Sequence, residues 1–253
     1  MRRLEGRVAL ISGTSGGQGR AAALRFAMEG ATVVGCGRNV EAAAETVELV
    51  RAAGFEMHST APVDLGDVAQ AEAWVEDAAT RFGAIDILYN NAGGFAFAPI
   101  AEMTDEDWHT TVRDELDLVF YSCRAAWPHL KRSPHAAIIN VASVTGMVAF
   151  RPAMGTGAHA ATKGGVIALT RELANEGAPD GIRVNTLSPG YIRIASRAEL
   201  WDPMKDRFLA KQMIQRVGQP EDIAGVAAFL ASDDAAFMTG ANVVVDGGVT
   251  ACD

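Results

Sequence analysis

The segment GTGAHAATKGG (155–165) carries two basic side chains four residues apart, His159 and Lys163. In a helix, residues at positions i and i+4 lie on one face, so the imidazole and the amine project in the same direction. An imidazole gains and loses protons near neutral pH, and a neighbouring ammonium group opposes its positive form. The spacing therefore predicts a site of acid–base chemistry at the start of a helix.

A glycine-rich segment near the N-terminus, SGTSGGQGRAAALRF (12–26), separates an apolar run from a helical pattern. Gly13, Gly17 and Gly19 allow a tight turn and a close approach of the backbone to a pyrophosphate. The helix start that follows supplies N–H donors and a partial positive charge. We predict that this loop binds a dinucleotide cofactor, with Ser15 and Gln18 among its contacts.

The end of the second apolar run, CGRN (36–39), indicates which dinucleotide binds. A site for the free 2′-hydroxyl of NAD(H) has Asp or Glu where this chain has Gly37. The next residue is Arg38, whose guanidinium group suits a 2′-phosphate. The sequence therefore predicts NADP(H) as the preferred cofactor, with NAD(H) as the alternative.

The composition argues against several other classes of partner. Of the 253 residues, 49% are hydrophobic and 21% are charged, as in a globular protein. The 22 basic and 31 acidic residues give a net charge of −9, without a cluster of Lys and Arg. Such a chain is a poor match for nucleic acid or for an anionic membrane. We expect a small-molecule substrate.

Cysteine usage and the N-terminal segment indicate a cytoplasmic protein. Cys36, Cys123 and Cys252 are odd in number and distant from one another in the sequence. They have no metal-ligand spacing, which fits a reducing compartment and predicts no metal site. The segment MRRLEGRVALISG lacks the apolar stretch of a signal peptide, and no run approaches the roughly 18 apolar residues of a membrane span.

Short apolar runs alternate with longer helical patterns along the chain. The predicted strands cover residues 7–12, 31–36, 55–60, 84–90, 136–142, 181–188 and 241–246. The predicted helices begin near Gly17, Val40, Asp67, Asp105, Gly157 and Glu221. Continuous apolar runs are typical of parallel strands that are buried on both faces. The pattern predicts an α/β fold, a doubly wound parallel sheet of about seven strands in one Rossmann-type domain over residues 1–253.

One segment, residues 191–219, interrupts this alternation between the sixth strand and the last long helix. It forms either a small lid over a substrate or a packed pair of surface helices. The candidate walls of a hydrophobic substrate pocket are Phe95, Phe97, Phe150, Met154 and Trp201.

Several further motifs, together with the glycine loop, resemble the shorter form of the short-chain dehydrogenase/reductase family over nearly the whole chain. They are APVDLGD with Asp64 and Leu65, NNAG with Asn91, Ala92 and Gly93, IINVASVTG with Ser143, and SPGYI with Pro189, Gly190 and Ile192. The resemblance implies that the residues of these motifs line a nicotinamide dinucleotide, whose ribose Lys163 holds. It also implies a homotetramer, or else a homodimer.

By this resemblance the chemistry is hydride transfer between nicotinamide and a carbonyl or alcohol carbon, with Ser143 polarising the carbonyl. Members of the family have a tyrosine where this chain has His159, and an asparagine where it has Glu115. The segment between Ser143 and His159 is a few residues longer than usual, and Ile194 stands in place of a frequent threonine. Because a nearby carboxylate favours a protonated imidazole, we predict that Glu115 and His159 form an acid–base pair beside Lys163.

The sequence leaves three functions open. The first is an NADP-dependent oxidoreductase for a small or medium hydrophobic carbonyl or alcohol, in which His159 exchanges the proton. The second is a lyase or isomerase that uses Glu115 and His159 without net redox chemistry. The third is a protein that binds NADP(H) and catalyses nothing. Tyr191, which follows Pro189-Gly190, is a second candidate for the proton-exchanging group.

Overall fold

The computed structural model describes residues 2–150, 154–194, 199 and 205–251, and a parallel β-sheet forms its centre. The strands are β1 (Val8–Ser12), β2 (Thr32–Cys36), β3 (Met57–Thr60), β4 (Ile87–Asn90), β5 (Ala137–Val141), β6 (Arg183–Pro189) and β7 (Asn242–Val245). Among the described residues they form one seven-stranded sheet in the order β3-β2-β1-β4-β5-β6-β7. The predicted α/β architecture is confirmed, although β4 begins at residue 87 and not at 84.

Helices connect the strands and cover the sheet. They are α1 (Gly17–Met28), α2 (Val40–Ala52), α3 (Val68–Phe82), α4 (Asp105–Val112), α5 (Leu118–Leu130), α6 (Gly157–Gly177), α7 (Lys205–Leu209) and α8 (Pro220–Ala231). A π-helical turn (Arg113–Asp117) joins α4 to α5. None of the helices in the described ranges is long and apolar enough to cross a membrane.

Short polar side chains fix where three of these helices begin. Asn39, Asp67 and Thr104 each accept a hydrogen bond from the backbone N–H three residues later, at the starts of α2, α3 and α4. Each such cap satisfies a backbone donor that the helix itself leaves unpaired and contributes about 1 kcal/mol.

The sheet has a hydrophobic core on each face, because consecutive strand residues point to opposite sides. Leu10 and Leu88 pack on one side, against residues of α3, α5 and α6. Ile11 and Tyr89 pack on the other side, against residues of α1 and α8. Burial on both faces explains why the strands are continuous apolar runs and not alternating patterns.

The strand order brings the predicted site residues to one edge of the sheet. All the strands are parallel, so their carboxyl ends lie at the same edge. The chain runs outward from β1 to β3 and then returns to start β4 on the other side of β1. In doubly wound sheets this reversal leaves a crevice at the carboxyl ends of the strands, where ligands bind.

The third glycine of the loop after β1 has a packing role. A Cβ atom on Gly19 would lie 2.2 Å from the carbonyl oxygen of Gly13, so any other residue would push α1 away from β1. By contrast, a Cβ atom on Gly16 would meet no heavy atom within 4 Å. Gly19 therefore lets the helix pack directly on the turn that precedes it.

We expect Gly19→Ala to lower the free energy of unfolding by about 2 kcal/mol or more, because a methyl group cannot fit against a fixed backbone oxygen. Urea denaturation of the purified protein without cofactor measures this change. Gly16→Ala, in the same loop, is the matched control and should change stability by less than about 0.5 kcal/mol. Equal stability of the two variants would contradict this account of Gly19.

Candidate active site

A cavity of about 620 Å³ opens at the carboxyl edge of the sheet. Its lining contains every predicted catalytic and cofactor residue except Gly19. Gly19 was predicted to contact the cofactor, but it lies beneath the loop against Gly13 and does not line the cavity. The described residues contain no group of three or more His, Cys, Asp and Glu side chains that could hold a metal ion.

The glycine loop at one end of the cavity fits a dinucleotide phosphate. Helix α1 begins at Gly17 without a side-chain cap and has no acidic residue in its first turn. Its first N–H groups therefore have no side-chain acceptor, and the helix dipole favours an anion there. A Cβ atom on Gly13 would lie 2.9 Å from the Cα atom of Ala92, so only glycine allows these two loops to meet.

The π-helical turn (Arg113–Asp117) presents Glu115 to the other half of the cavity. Two consecutive residues of this turn, Asp114 and Glu115, are buried and line the cavity. In a regular α-helix, consecutive side chains point about 100° apart. The insertion of one wider turn is common where a helix serves a functional site.

The imidazole of His159 is held by the carboxylate of Glu115. The Nδ1 atom of His159 lies 2.9 Å from Oε1 and 2.8 Å from Oε2 of Glu115. Only 2% of the Glu115 side chain is exposed to solvent. Because the carboxylate accepts a hydrogen bond, Nδ1 carries the proton and Nε2 is the nitrogen left for other chemistry. Within the described part of the chain, Nε2 has no hydrogen-bond partner.

Two further groups from α6 complete the surroundings of Glu115. The hydroxyl of Thr162 donates a hydrogen bond of 2.6 Å to Oε2. The Nζ atom of Lys163 lies 3.7 Å from Oε1 and donates a hydrogen bond of 3.0 Å to the carbonyl oxygen of Val141, at the end of β5. An ammonium group has three donors, so Lys163 keeps capacity for a ligand hydroxyl.

The electrostatics of this cluster keep Glu115 ionised. Burial alone would raise the pKa of the Glu115 carboxyl, since it disfavours the charged form. The positive charge of Lys163 and the hydrogen bonds from His159 and Thr162 outweigh burial and hold the pKa below its ordinary value of 4.5. At neutral pH the cluster therefore contains a carboxylate that can stabilise positive charge on the imidazole.

An aromatic ring covers the imidazole. Phe95 stacks on His159 with ring centroids 3.9 Å apart and planes 22° apart, and Phe97 packs against Phe95. The rotation of the His159 ring is thus restricted by Phe95 on one face and by Glu115 at its edge. An imidazolium ion over the face of a phenyl ring is also favoured by the cation–π interaction.

The hydroxyl of Ser143 lines the same cavity with a defined orientation. Its Oγ atom accepts hydrogen bonds from the backbone N–H and the hydroxyl of Thr145, at 3.2 and 2.8 Å. A hydroxyl has two acceptor positions and one donor. Because Thr145 occupies both acceptor positions, the remaining proton of Ser143 is a donor for a ligand in the cavity.

The apolar wall of the cavity comes from several segments. It includes Phe95, Phe150, Met154, Tyr191 and Phe208, and Gln212 adds a polar group. Of the predicted wall residues, Phe97 lies behind Phe95 and does not line the cavity, and Trp201 lies outside the described residues.

The predicted lid contributes part of this wall. Tyr191 stacks on Phe208 of α7, with ring centroids 4.5 Å apart. Ile194 lies over the glycine loop, since its Cγ2 atom would be 3.3 Å from a Cβ atom on Gly17. Residues 195–198 and 200–204 of the predicted lid lie outside the described residues.

Arg38 lies in the cavity wall at the end of β2, but it already has a partner. Its Nη1 atom is 2.9 Å from Oδ2 of Asp114. Asp114, Thr145 and Thr162 are three site residues that the sequence analysis did not single out. Asp114 lies beside Glu115 in the sequence WHTTVRDELD, and both line the cavity from the π turn.

Comparisons with known proteins agree with this fold. A family model described as enoyl-(acyl carrier protein) reductase matches residues 13–250. Meso-2,3-butanediol dehydrogenase of Serratia marcescens is 35% identical over 252 residues, which cover 99% of this chain and 97% of the relative. The 3-oxoacyl-(acyl-carrier-protein) reductase FabG of Staphylococcus aureus is 36% identical over 242 residues, covering 95% and 97%.

A solved structure shows the same similarity in three dimensions. A short-chain type dehydrogenase/reductase from Mycobacterium marinum superposes with a TM-score of 0.93 at 30% identity, covering 98% of this chain and 97% of that one. Fold, cavity and relatives together define a nucleotide-dependent oxidoreductase. The chain belongs to the short-chain dehydrogenase/reductase family and is an NAD(P)-dependent enzyme of that family.

We expect Glu115→Gln to lower the free energy of unfolding by about 3 kcal/mol at neutral pH, because it leaves the buried Lys163 ammonium without its counter-charge. The pKa of Glu115 is lower in the folded protein than its ordinary 4.5, so its contribution is present above that pH and is lost as the pH falls. The stability difference between wild type and variant should therefore narrow below about pH 4.5.

Denaturant unfolding from pH 3.5 to pH 8 measures this difference. Glu56→Gln, at an exposed position before β3, is the matched control and should follow the wild type over the whole range. A stability difference that did not depend on pH would contradict the assignment of the charge to Glu115.

Proposed function

We propose that this enzyme is an NADP-dependent oxidoreductase that transfers a hydride between nicotinamide and a small or medium hydrophobic carbonyl or alcohol, with His159 as the proton-exchanging group. The observation that carries the proposal is the fixed imidazole. Glu115 holds Nδ1 of His159 at 2.8 Å, which leaves Nε2 as the reactive nitrogen on the cavity side.

The pair formed by His159 and Glu115 serves both directions of the reaction. In reduction, the imidazolium form donates its Nε2 proton to the oxygen that becomes the alcohol. In oxidation, neutral Nε2 accepts the proton of the alcohol. Glu115 stays ionised in both directions and stabilises the imidazolium form, so the charge that develops on the ring is compensated without movement of heavy atoms.

Ser143 and Lys163 position the reacting groups. The free donor of Ser143 binds the carbonyl oxygen of the substrate and polarises it. The donors of Lys163 that Val141 and Glu115 do not use hold the ribose hydroxyls beside the nicotinamide. A bound nicotinamide supplies or accepts the hydride. Ser143 and Lys163 therefore fix the geometry, and His159 exchanges the proton with the substrate oxygen.

The residues at the adenosine end support NADP(H) as the preferred cofactor and NAD(H) as the second. Position 37 is glycine, so no carboxylate at the end of β2 binds a ribose 2′-hydroxyl. Arg38 lines the cavity at the same strand end and offers a planar set of donors to a phosphate. Asp64, Leu65 and Asn91 form the neighbouring wall.

The cavity wall supports a hydrophobic substrate. Phe95, Phe150 and Phe208 supply aromatic surface, and Gln212 and Ser143 supply hydrogen-bonding groups. Pockets for small molecules combine such apolar walls with a few polar groups that fix orientation. By their names, two of the relatives reported above act on a diol and on an oxoacyl group, and this alcohol and carbonyl chemistry agrees with the proposed reaction.

One observation keeps a lyase or isomerase as the second candidate. Glu115 and His159 form a complete acid–base pair, and such a pair can remove and return protons without any hydride transfer. This candidate predicts conversion of substrate without a change in nicotinamide absorbance. A third possibility, cofactor binding without catalysis, predicts that no substrate is converted at all.

We also propose a cytoplasmic homotetramer, with a homodimer as the alternative. Trp108, Phe120 and Phe237 are large apolar side chains exposed on the single chain, and apolar surface of this kind is often covered in an assembly. The described cysteines Cys36 and Cys123 are both free thiols, as in a reducing compartment. Light scattering of the purified protein tests the assembly.

We expect His159→Gln to lower kcat for carbonyl reduction by about 10²-fold or more, because general acid catalysis at this position is lost. The rate of NADPH oxidation against a panel of ketones and aldehydes measures it.

His109→Gln is the matched control, since His109 is exposed on α4, and it should retain wild-type rates. NADPH binding, followed by fluorescence, should be the same in all three proteins. If wild type binds NADPH but oxidises none, and His159→Tyr gains reductase activity, hydride transfer is not the native reaction and the second candidate replaces the first.

We expect Ser143→Ala to lower kcat by about a hundredfold, because the substrate oxygen loses a pre-oriented donor. NADPH affinity should stay unchanged, because the hydroxyl that is removed binds the substrate and not the cofactor. Ser143→Thr retains the hydroxyl and should recover part of the rate. A variant Ser143→Ala with full kcat would show that the hydroxyl only caps the turn to Thr145.

A further inference from the structure

The pairing of Arg38 with Asp114 affects the choice of cofactor. Arg38 is the only cation that lines the adenosine end of the cavity among the described residues, and its Nη1 atom lies 2.9 Å from Oδ2 of Asp114. The side chain of Arg38 is 59% exposed, so it is free to reorient, whereas that of Asp114 is only 9% exposed. The carboxylate is thus the fixed member of the pair.

A second guanidinium group holds Asp114 in place. The Nε and Nη2 atoms of Arg113 both lie 2.8 Å from Oδ1 of Asp114. The Nη2 atom of Arg113 also lies 3.4 Å from Oδ2 of Asp64, which lines the cavity as well. With one oxygen bound by Arg113 and the other facing Arg38, the Asp114 carboxylate stays at the rim of the cavity when Arg38 moves.

A 2′-phosphate and the Asp114 carboxylate require the same donors. Both are anions that bind a guanidinium through paired N–H···O contacts. The 2′-phosphate of NADP(H) must therefore draw Arg38 away from Asp114, or share it with a carboxylate that repels the phosphate. The 2′-hydroxyl of NAD(H) is neutral and does not compete with Asp114 for Arg38.

Resting on the proposed use of NADP(H), we propose that Asp114 is a specificity-determining residue. It competes with the 2′-phosphate for Arg38 and so lowers the preference for NADP(H) over NAD(H). The ratio of NADP(H) affinity to NAD(H) affinity is therefore smaller than it would be if Arg38 were not paired with Asp114. The charge of the carboxylate, and not its shape, is the source of the effect.

Fluorescence titrations of NADPH and NADH at one fixed ionic strength test this proposal. Asp114→Asn preserves the shape and removes the charge. It should raise NADPH affinity by about tenfold and leave NADH affinity within about twofold. Asp117→Asn, the same substitution in the same π turn at a position that does not line the cavity, should leave the affinity ratio at its wild-type value.

The variant Arg38→Ala and the double variant separate the possible causes. Arg38→Ala should lose most of the NADPH affinity, and adding Asp114→Asn to it should bring no gain, because the competition needs Arg38. If the gain persists in the double variant, Asp114 repels the phosphate directly and the competition is overturned. If Asp114→Asn changes both affinities equally, Asp114 has only a structural role and the proposal is overturned.

The same variants also test the proposed preference for NADP(H) separately from the role of Asp114. If Arg38→Ala leaves NADPH affinity unchanged, Arg38 does not bind the 2′-phosphate, which overturns the preference itself and the role of Asp114 with it. If Arg38→Ala lowers NADPH affinity but Asp114→Asn does not raise it, only the role of Asp114 is overturned. Thermal unfolding checks that the variants fold, and Asp114→Ser replaces Asp114→Asn if the latter does not.

Discussion

The buried carboxylate of Glu115 is the interaction on which the active site depends. A charge with so little exposure is stable only when opposite charge and hydrogen-bond donors surround it. His159 and Thr162 from α6 supply donors, and Lys163 supplies the charge while it is anchored on Val141 at the end of β5. Glu115 thus connects the π turn to helix α6 and, through Lys163, to the end of β5. These contacts define the positions of His159 and Lys163.

The fold could be predicted because its signals are local. Continuous apolar runs such as VALIS indicate strands buried on both faces, and residues such as Asn39 and Thr104 mark helix starts by their own side chains. The role of Gly19 could not be predicted in the same way. A glycine that contacts a ligand and one that packs under a turn look alike in sequence, and the difference depends on the approach of α1 to β1.

The candidate site was predictable where a residue type carries the chemistry. His159 and Lys163 stand out by residue type and by their spacing of four. Glu115 was identified through the family resemblance, and the structure places its carboxylate 2.8 and 2.9 Å from Nδ1 of His159. The stacking of Phe95 on His159 was not predictable, since it joins a loop to a helix distant in sequence. Asp114 was overlooked because the sequence shows neither the π turn nor the pairing of this carboxylate with Arg38.

The π turn has a thermodynamic consequence. Asp114 and Glu115 are adjacent in the chain, yet one meets Arg38 at the adenosine end and the other meets His159 at the reaction end. A displacement of the π turn therefore changes contacts at both ends of the cavity. Coupling between two sites is reciprocal. If a bound cofactor changes the proton affinity of His159 by some factor, protonation of His159 changes the cofactor affinity by the same factor. Cofactor occupancy and the protonation state of the site are then linked equilibria that cannot be tuned independently.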